Sequence, residues 1–181
     1  NQFLSTALSY SDPSAAFLDT KNRRDATINQ MLDDIAPRIE AELADQPEVR
    51  ASLERTIGAA YLSQNRVAEA ERYLNAALQT QLQIYGDGHQ EIALTLSHLA
   101  SVQVAKSDYN RAMESLQKAI AIYRNRPPND HTHLKAFADA IFQLSEINWT
   151  RGNFKDAESG FSEVLSIGSQ LRGADREPVA D

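Results

Sequence analysis

The sequence predicts an all-α protein: a right-handed superhelix of antiparallel helix pairs, with about three repeats and an N-terminal capping helix. Three observations carry this. Apolar residues recur at three- and four-residue spacings along most of the chain, the period of a helix with one buried face. Two landmarks repeat together. Ile57 and Ala70 reappear 42 residues later as Leu99 and Ala112, and 45 residues after that as Leu144 and Ala157, always 13 residues apart. The helix breakers fall between the periodic segments, not within them. Units that share one apolar pattern stack side by side, because a single helix pair cannot bury its own apolar stripe.

Composition agrees. A chain of 181 residues is one domain's worth, and 42% hydrophobic residues suffice for a core. Seven glycines and six prolines are few for a turn-rich all-β chain. The chain has no cysteine, which excludes a disulfide framework, a thiolate metal site and a cysteine nucleophile. The net charge of −7 argues against a partner bound by neutralising phosphates, so no nucleic acid is expected. No run approaches about 18 uninterrupted apolar residues, so no direct membrane insertion is expected of this fragment. The chain opens on Asn1 with no basic-then-apolar leader, and it reads as a piece of a longer protein.

Taken in order, residues 1–24 hold Phe3, Leu4, Ala7 and Leu8, a short helix stopped at Asp12-Pro13, and then a loop. Residues 25–50 form a capping half-repeat. Ile28, Leu32, Ile35, Ile39 and Leu43 lie on one helical face, with Pro37 as a kink. Asp45-Gln46-Pro47-Glu48 reads as a helix start, an acceptor followed by proline and glutamate.

Repeat 1 is residues 51–88. Leu53, Ile57 and Tyr61 mark its first helix, Ser63 to Arg66 a polar break, and Val67, Ala70, Leu74, Ala77 and Leu78 its second. Gly86 suits a left-handed cap at the end of that helix. Repeat 2, residues 89–130, carries Ile92, Leu96 and Leu99, then Tyr109, Ala112, Met113, Leu116, Ala119, Ile120 and Tyr123. Pro127 and Pro128 end it. Repeat 3, residues 131–168, carries Phe137, Ile141 and Leu144, then Phe154, Ala157, Phe161, Val164 and Leu165. Its three extra residues are assigned to the loop before it. Residues 169–181 read as a polar tail. Gly58, Ala100 and Ser145 recur at one site, and Ala70, Ala112 and Ala157 at another. Small side chains at both let two helix axes approach to about 8 Å.

These residues resemble tetratricopeptide repeats over residues 51 to 168. Ile57-Gly58-x2-Tyr61, Ala70-x3-Leu74 and Ala77 fall where that family's signature has Leu-Gly-x2-Tyr, Ala-x3-Phe and a small residue. The 42-residue period is similar to the long variant of kinesin light chains and bacterial arrays, with Gly86-Asp87-Gly88-His89-Gln90 at the place of its Gly-x-x-His-Pro turn. Glu54 stands where Trp is common, Gln103 and Asn148 replace Tyr, and Gln90 replaces Pro. The run Ile39 to Leu53 is similar to the segment before such arrays in bacterial multidomain serine/threonine protein kinases. The resemblance implies a non-catalytic module that binds a protein or peptide on its concave face, without cofactor or metal. Its compartment would be cytoplasmic, or extracytoplasmic if the parent is a membrane-spanning kinase.

No constellation suggests catalysis. His131-x-His133 beside Asp130 could touch a metal, but a capped helix start accounts for it better. His98 reads as a groove or core residue without a nucleophile to serve. Asp33-Asp34 and Glu40, Glu42, Asp45 and Glu48 read as a solvated acidic face. The first helices line the concave side of such a stack. Their free face is expected to hold Ser52, Arg55, Ala59 and Leu62, then Leu94, Ser97, Ser101 and Val104, then Asp139, Phe142, Glu146 and Trp149. Arg55, Phe142 and Trp149 are the expected anchors, with packing against a further helix as the competing reading of Trp149. The competing functions are self-association through an uncapped end, giving a homo-oligomer, and the ligand-receptor part of a transcriptional regulator.

Overall fold

The structure, a computed structural model, describes residues 30–128 and 130–174. The expected helix at Phe3–Leu8, the loop up to residue 24, Ile28 and the end of the tail lie outside the described residues. Among the described residues there is no strand. Six long helices run in three antiparallel pairs: α1 (Pro47–Ser63) with α2 (Val67–Tyr85), α3 (Gln90–Ala105) with α4 (Tyr109–Asn125), and α5 (His131–Thr150) with α6 (Phe154–Ala174). Each second helix packs on the first helix of the next pair. First helices also touch first helices, α1 to α3 and α3 to α5, whereas the second helices do not meet to a comparable extent, so the stack bends toward the first helices. This is an all-helical solenoid of the kind the period predicts.

The close crossings sit where the small residues recur. Gly58, Ala100 and Ser145 are buried, as are Ala70, Ala112 and Ala157. A methyl group on Gly58 would come within 2.6 Å of Leu74 Cγ and 3.2 Å of the Ala70 carbonyl oxygen. In the third pair the contact is mirrored: a methyl on Gly160 of α6 would collide with Ser145 Oγ of α5. Around these crossings the aliphatic and aromatic stripes close into successive buried clusters, one with Ile57, Leu74 and Leu99 and another with Leu116, Ile120 and Ile141.

The turn inside each pair is the same device three times. Asn65, Ser107 and Gly152 all have positive φ, at 59°, 60° and 81°. The following N–H groups, of Arg66, Asp108 and Asn153, reach back to the carbonyls of Tyr61, Gln103 and Asn148 at 2.8–2.9 Å. This paired closure satisfies carbonyls that the helix end would otherwise leave open.

Four expectations are corrected. Asp45 does not cap α1: the helix starts at Pro47, and Gln46 precedes it without a side-chain cap bond. Gly86 has φ 69° but ψ 172°, an extended, glycine-only conformation instead of a left-handed helical one. The extra length of repeat 3 is not in the loop before it; it lengthens α5 to 20 residues against 16 in α3. Residues 169–174 continue α6 instead of opening a tail, and Leu171 packs on the core.

Ahead of α1, residues 30–35 are helical, Ala36–Arg38 form a 3-10 turn around Pro37, and Ile39–Glu42 resume the helix. Proline lacks the N–H an α-helix needs there, which explains the kink. Leu32, Ile35, Ala36 and Ile39 are buried in one cluster with Ile57, Tyr61, Tyr73 and Leu74. Asp33 fixes the segment: the Tyr61 hydroxyl donates to it at 3.1 Å, and Arg66 pairs with it at 2.7 Å. Burial and this bond push the Tyr61 hydroxyl up to about 12. Glu54, at the position of the signature Trp, lies in a cavity of about 180 Å³ with Arg50 and Arg72. Burial raises its carboxyl, against a lowering by Arg50.

Candidate functional site

The three first helices are joined by side chains. Arg55 Nη2 of α1 lies 3.2 Å from Glu91 Oε2 of α3, and His133 Nε2 of α5 lies 3.2 Å from Glu91 Oε1. His133 Nδ1 is 2.7 Å from Asp130 Oδ2, and Asp130 caps α5 by accepting from the His133 N–H at 2.9 Å. The network depends on the extra turn of α5, which places His133 over Glu91. Both ring nitrogens of His133 therefore face carboxylates, while His131 is exposed. Among the described residues no three His, Asp or Glu side chains converge to hold a metal ion. Below the network, the Tyr123 hydroxyl is buried without a hydrogen-bond partner among the described residues, and burial raises it far above its ordinary value. Further along, Ser101 Oγ of α3 donates to Gln143 Oε1 of α5 at 2.9 Å.

The residues expected on one free face separate into two sets. Those at the repeat positions of Arg55, Ser97 and Phe142, and of Leu62, Val104 and Trp149, point along the stack toward the next first helix. Arg55 is spent on Glu91, Ser97 is only 4% exposed, and Leu62 and Val104 are half-buried. In the third pair no first helix follows among the described residues. There Phe142 is 43% and Trp149 58% exposed. Phe142 and Trp149 thus sit at the end of the stack, and Ser97 and the neighbouring buried Leu94 offer little surface to a partner.

Three other rows run across the inner face: Ser52, Leu94 and Asp139; Thr56, His98 and Gln143; Ala59, Ser101 and Glu146. Ser52, Thr56, Asp139 and Glu146 are exposed, and Ala59, His98, Ser101 and Gln143 half-buried. Desolvation raises the Asp139 carboxyl above its usual range, with Lys135 opposing it. His98 is the residue that spacing undervalued. Burial first, and the Arg55 charge second, hold its imidazole down to about 4. Its Nδ1 is buried with no hydrogen-bond partner among the described residues. The signal was present in the sequence, as the polar row Thr56, His98, Gln143 at repeat spacing.

Two cavities lie between the pairs. One of about 270 Å³ lies between the first two pairs, lined by Ser52, Gln81, Tyr85, His89 and Glu91. His89 caps α3 by accepting from the Glu91 N–H at 3.3 Å, and its ring stacks on Tyr85 at 4.2 Å. The other, also about 270 Å³, lies away from the inner face between the second and third pairs, lined by Ile120, Arg124, Ile141, Ser145, Asn148 and Glu163. No helix among the described residues is long and apolar enough to cross a membrane.

Residues 49–125, which span α1 to α4, match the tetratricopeptide repeat family. The fold is similar to the crystal structure of BtubC (BKLC) from P. vanneervenii, with a TM-score of 0.68 at 20% identity. That likeness covers 87% of this chain and 62% of the other, so this chain spans less than two thirds of its structural neighbour. No curated protein matches the sequence.

Proposed function

We propose that this chain is a non-catalytic interaction module that holds an extended polypeptide across the inner face of α1, α3 and α5. The observation that carries the reading is His98: a neutral imidazole, half-buried in the middle of that face, that makes no hydrogen bond among the described residues. The accessible edge of a ring without internal hydrogen bonds is a ready partner for a polypeptide backbone laid across the face. Its row-mates Thr56 and Gln143 extend the hydrogen-bonding line to either side. Asp139 and Glu146 are exposed carboxylates at the α5 end of the face, which favours a partner with a basic side chain there. The match of residues 49–125 to a repeat family supports the same class of function.

A selection from a random peptide library tests this. The chain should enrich peptides that carry Lys or Arg, and His98→Ala and Asp139→Lys should each weaken the selected peptides about tenfold. Glu114→Lys, on the exposed outer side of α4, should leave them unchanged. No enrichment, or equal loss in all three variants, overturns the inner-face reading.

We further infer that the module is a sensor or docking part of a bacterial signalling protein such as a serine/threonine kinase. The similarity of the run Ile39 to Leu53 to the segment before kinase-linked arrays supports this. The coding sequence upstream of Asn1 tests it. A kinase domain there is the expected result, and a DNA-binding domain would instead make the chain the receptor part of a transcriptional regulator.

A further inference from the structure

The end of the stack differs in kind from its interior. Ser97 and Val104 of α3 sit where Phe142 and Trp149 sit on α5, and Ile120 of α4 sits where Leu165 sits on α6. In the second pair Ser97 and Ile120 are 4% and 5% exposed, whereas Phe142, Trp149 and Leu165 are 43%, 58% and 70% exposed. Phe154 adds a ring that is 56% exposed. The rings are held from behind: Phe142 leans on Phe161 at 5.6 Å, and Trp149 meets Phe154 edge-on at 4.9 Å. Inside the array the following first helix covers these positions, taking Arg55 as an ion pair and burying Ser97. At the end of the stack two aromatic rings stand there instead, with no helix over them among the described residues. Supported, exposed aromatics of this kind are the usual anchors of protein interfaces.

We propose that the occupant is a second copy of this chain, joined tail to tail through α5 and α6 about a two-fold axis. Two observations favour a copy. The opposite end of the stack is covered by Leu32, Ile35, Ala36 and Ile39, and no exposed aromatic ring stands there among the described residues. An isologous contact needs only the one end. The charges also fit. Lys135 lies two turns before Phe142 on α5 and Glu146 one turn after it, where the end of the stack meets the inner face; both are exposed and make no ion pair among the described residues. They are three helical turns apart, about 16 Å. When two α5 helices cross antiparallel at Ala140–Ile141, each Lys135 meets the other copy's Glu146, and the two Phe142 rings meet at the axis. The dimer shares Glu146 with the inner-face reading, and the two are told apart by readout: mass reports the dimer and peptide affinity the inner face.

Trp149 is the only tryptophan, so the chain reports on its own interface. Sedimentation and Trp149 emission should be followed from ~1 µM to ~300 µM, because dimer formation depends on concentration. The mass should double, with the emission moving to shorter wavelength in step. Phe142→Ser, which installs the residue of the second pair, should weaken the dimer at least about tenfold with helix content retained. Lys135→Glu and Glu146→Lys should each weaken it by a similar factor, and the double reversal should restore it to within about threefold. A monomer at every concentration with unchanged emission overturns the proposal. So does a dimer indifferent to Phe142→Ser, or charge reversals that add instead of compensating.

Discussion

Arg55 and Glu91, on the first helices of adjacent pairs, stand 3.2 Å apart with their side chains largely withdrawn from solvent. The contact continues through Glu91 to His133, so one carboxylate ties all three pairs. Removing either partner leaves a desolvated charge behind. Arg55→Ala and Glu91→Ala should each lower stability by about 1–3 kcal/mol, and a double-mutant cycle should return a coupling of about 1–2 kcal/mol. Urea titration of the four proteins checks this. A coupling below about 0.3 kcal/mol would leave the contact with no stabilising role.

Gly58 is required by the crossing of α1 and α2. The added methyl of Gly58→Ala would press on Leu74 Cγ at 2.6 Å and on the Ala70 carbonyl at 3.2 Å. The gain in helix propensity is smaller than that clash, so the net loss should be about 1–3 kcal/mol. Gly168→Ala, in the same kind of helix but with open space around its Cβ, should be neutral or slightly stabilising. Equal thermal midpoints for the two variants would show that the axes do not approach as closely as the structure has them.

The intra-pair turns allow a prediction of opposite sign. Ser107 holds φ 60° without the freedom of glycine, while its counterpart in the third pair is Gly152. Ser107→Gly should stabilise by about 0.5–1 kcal/mol, and Gly152→Ala should destabilise by about 1 kcal/mol. Asn65 tolerates this conformation better than serine, so Asn65→Gly should change less. Denaturant midpoints of the three variants test the order.

His98 gives the protein an acid-sensitive face. Its imidazole is held at about 4 in the folded chain, against 6.5 when unconstrained. Between those values the unfolded chain binds the proton and the folded chain does not. The neutral imidazole's contribution is therefore complete above about pH 6.5 and is lost as pH falls through 4, by at most about 3 kcal/mol. His98→Gln should lose less stability between pH 7 and pH 4 than the parent chain. Parallel pH profiles for the two proteins would place the acid sensitivity on the carboxylates instead.

The sequence by itself determined the helices, their pairing and the crossings. Helical periodicity and a recurring small residue are local properties, and landmarks 13 residues apart fix a hairpin before any contact is known. It offered His98 only as a groove or core residue, without the row that Thr56 and Gln143 make with it. Only the tertiary structure decided which parts of a first helix look inward and which look along the stack. Arg55, Ser97 and Phe142 share one repeat position, yet the first is paired, the second buried and the third exposed. The difference lies in what stands beside each helix, and neighbours in a solenoid come from another repeat. The extra turn of α5 shows the same limit. Spacing counted three added residues, but only the packed helices put them in α5, where they bring His133 to Glu91.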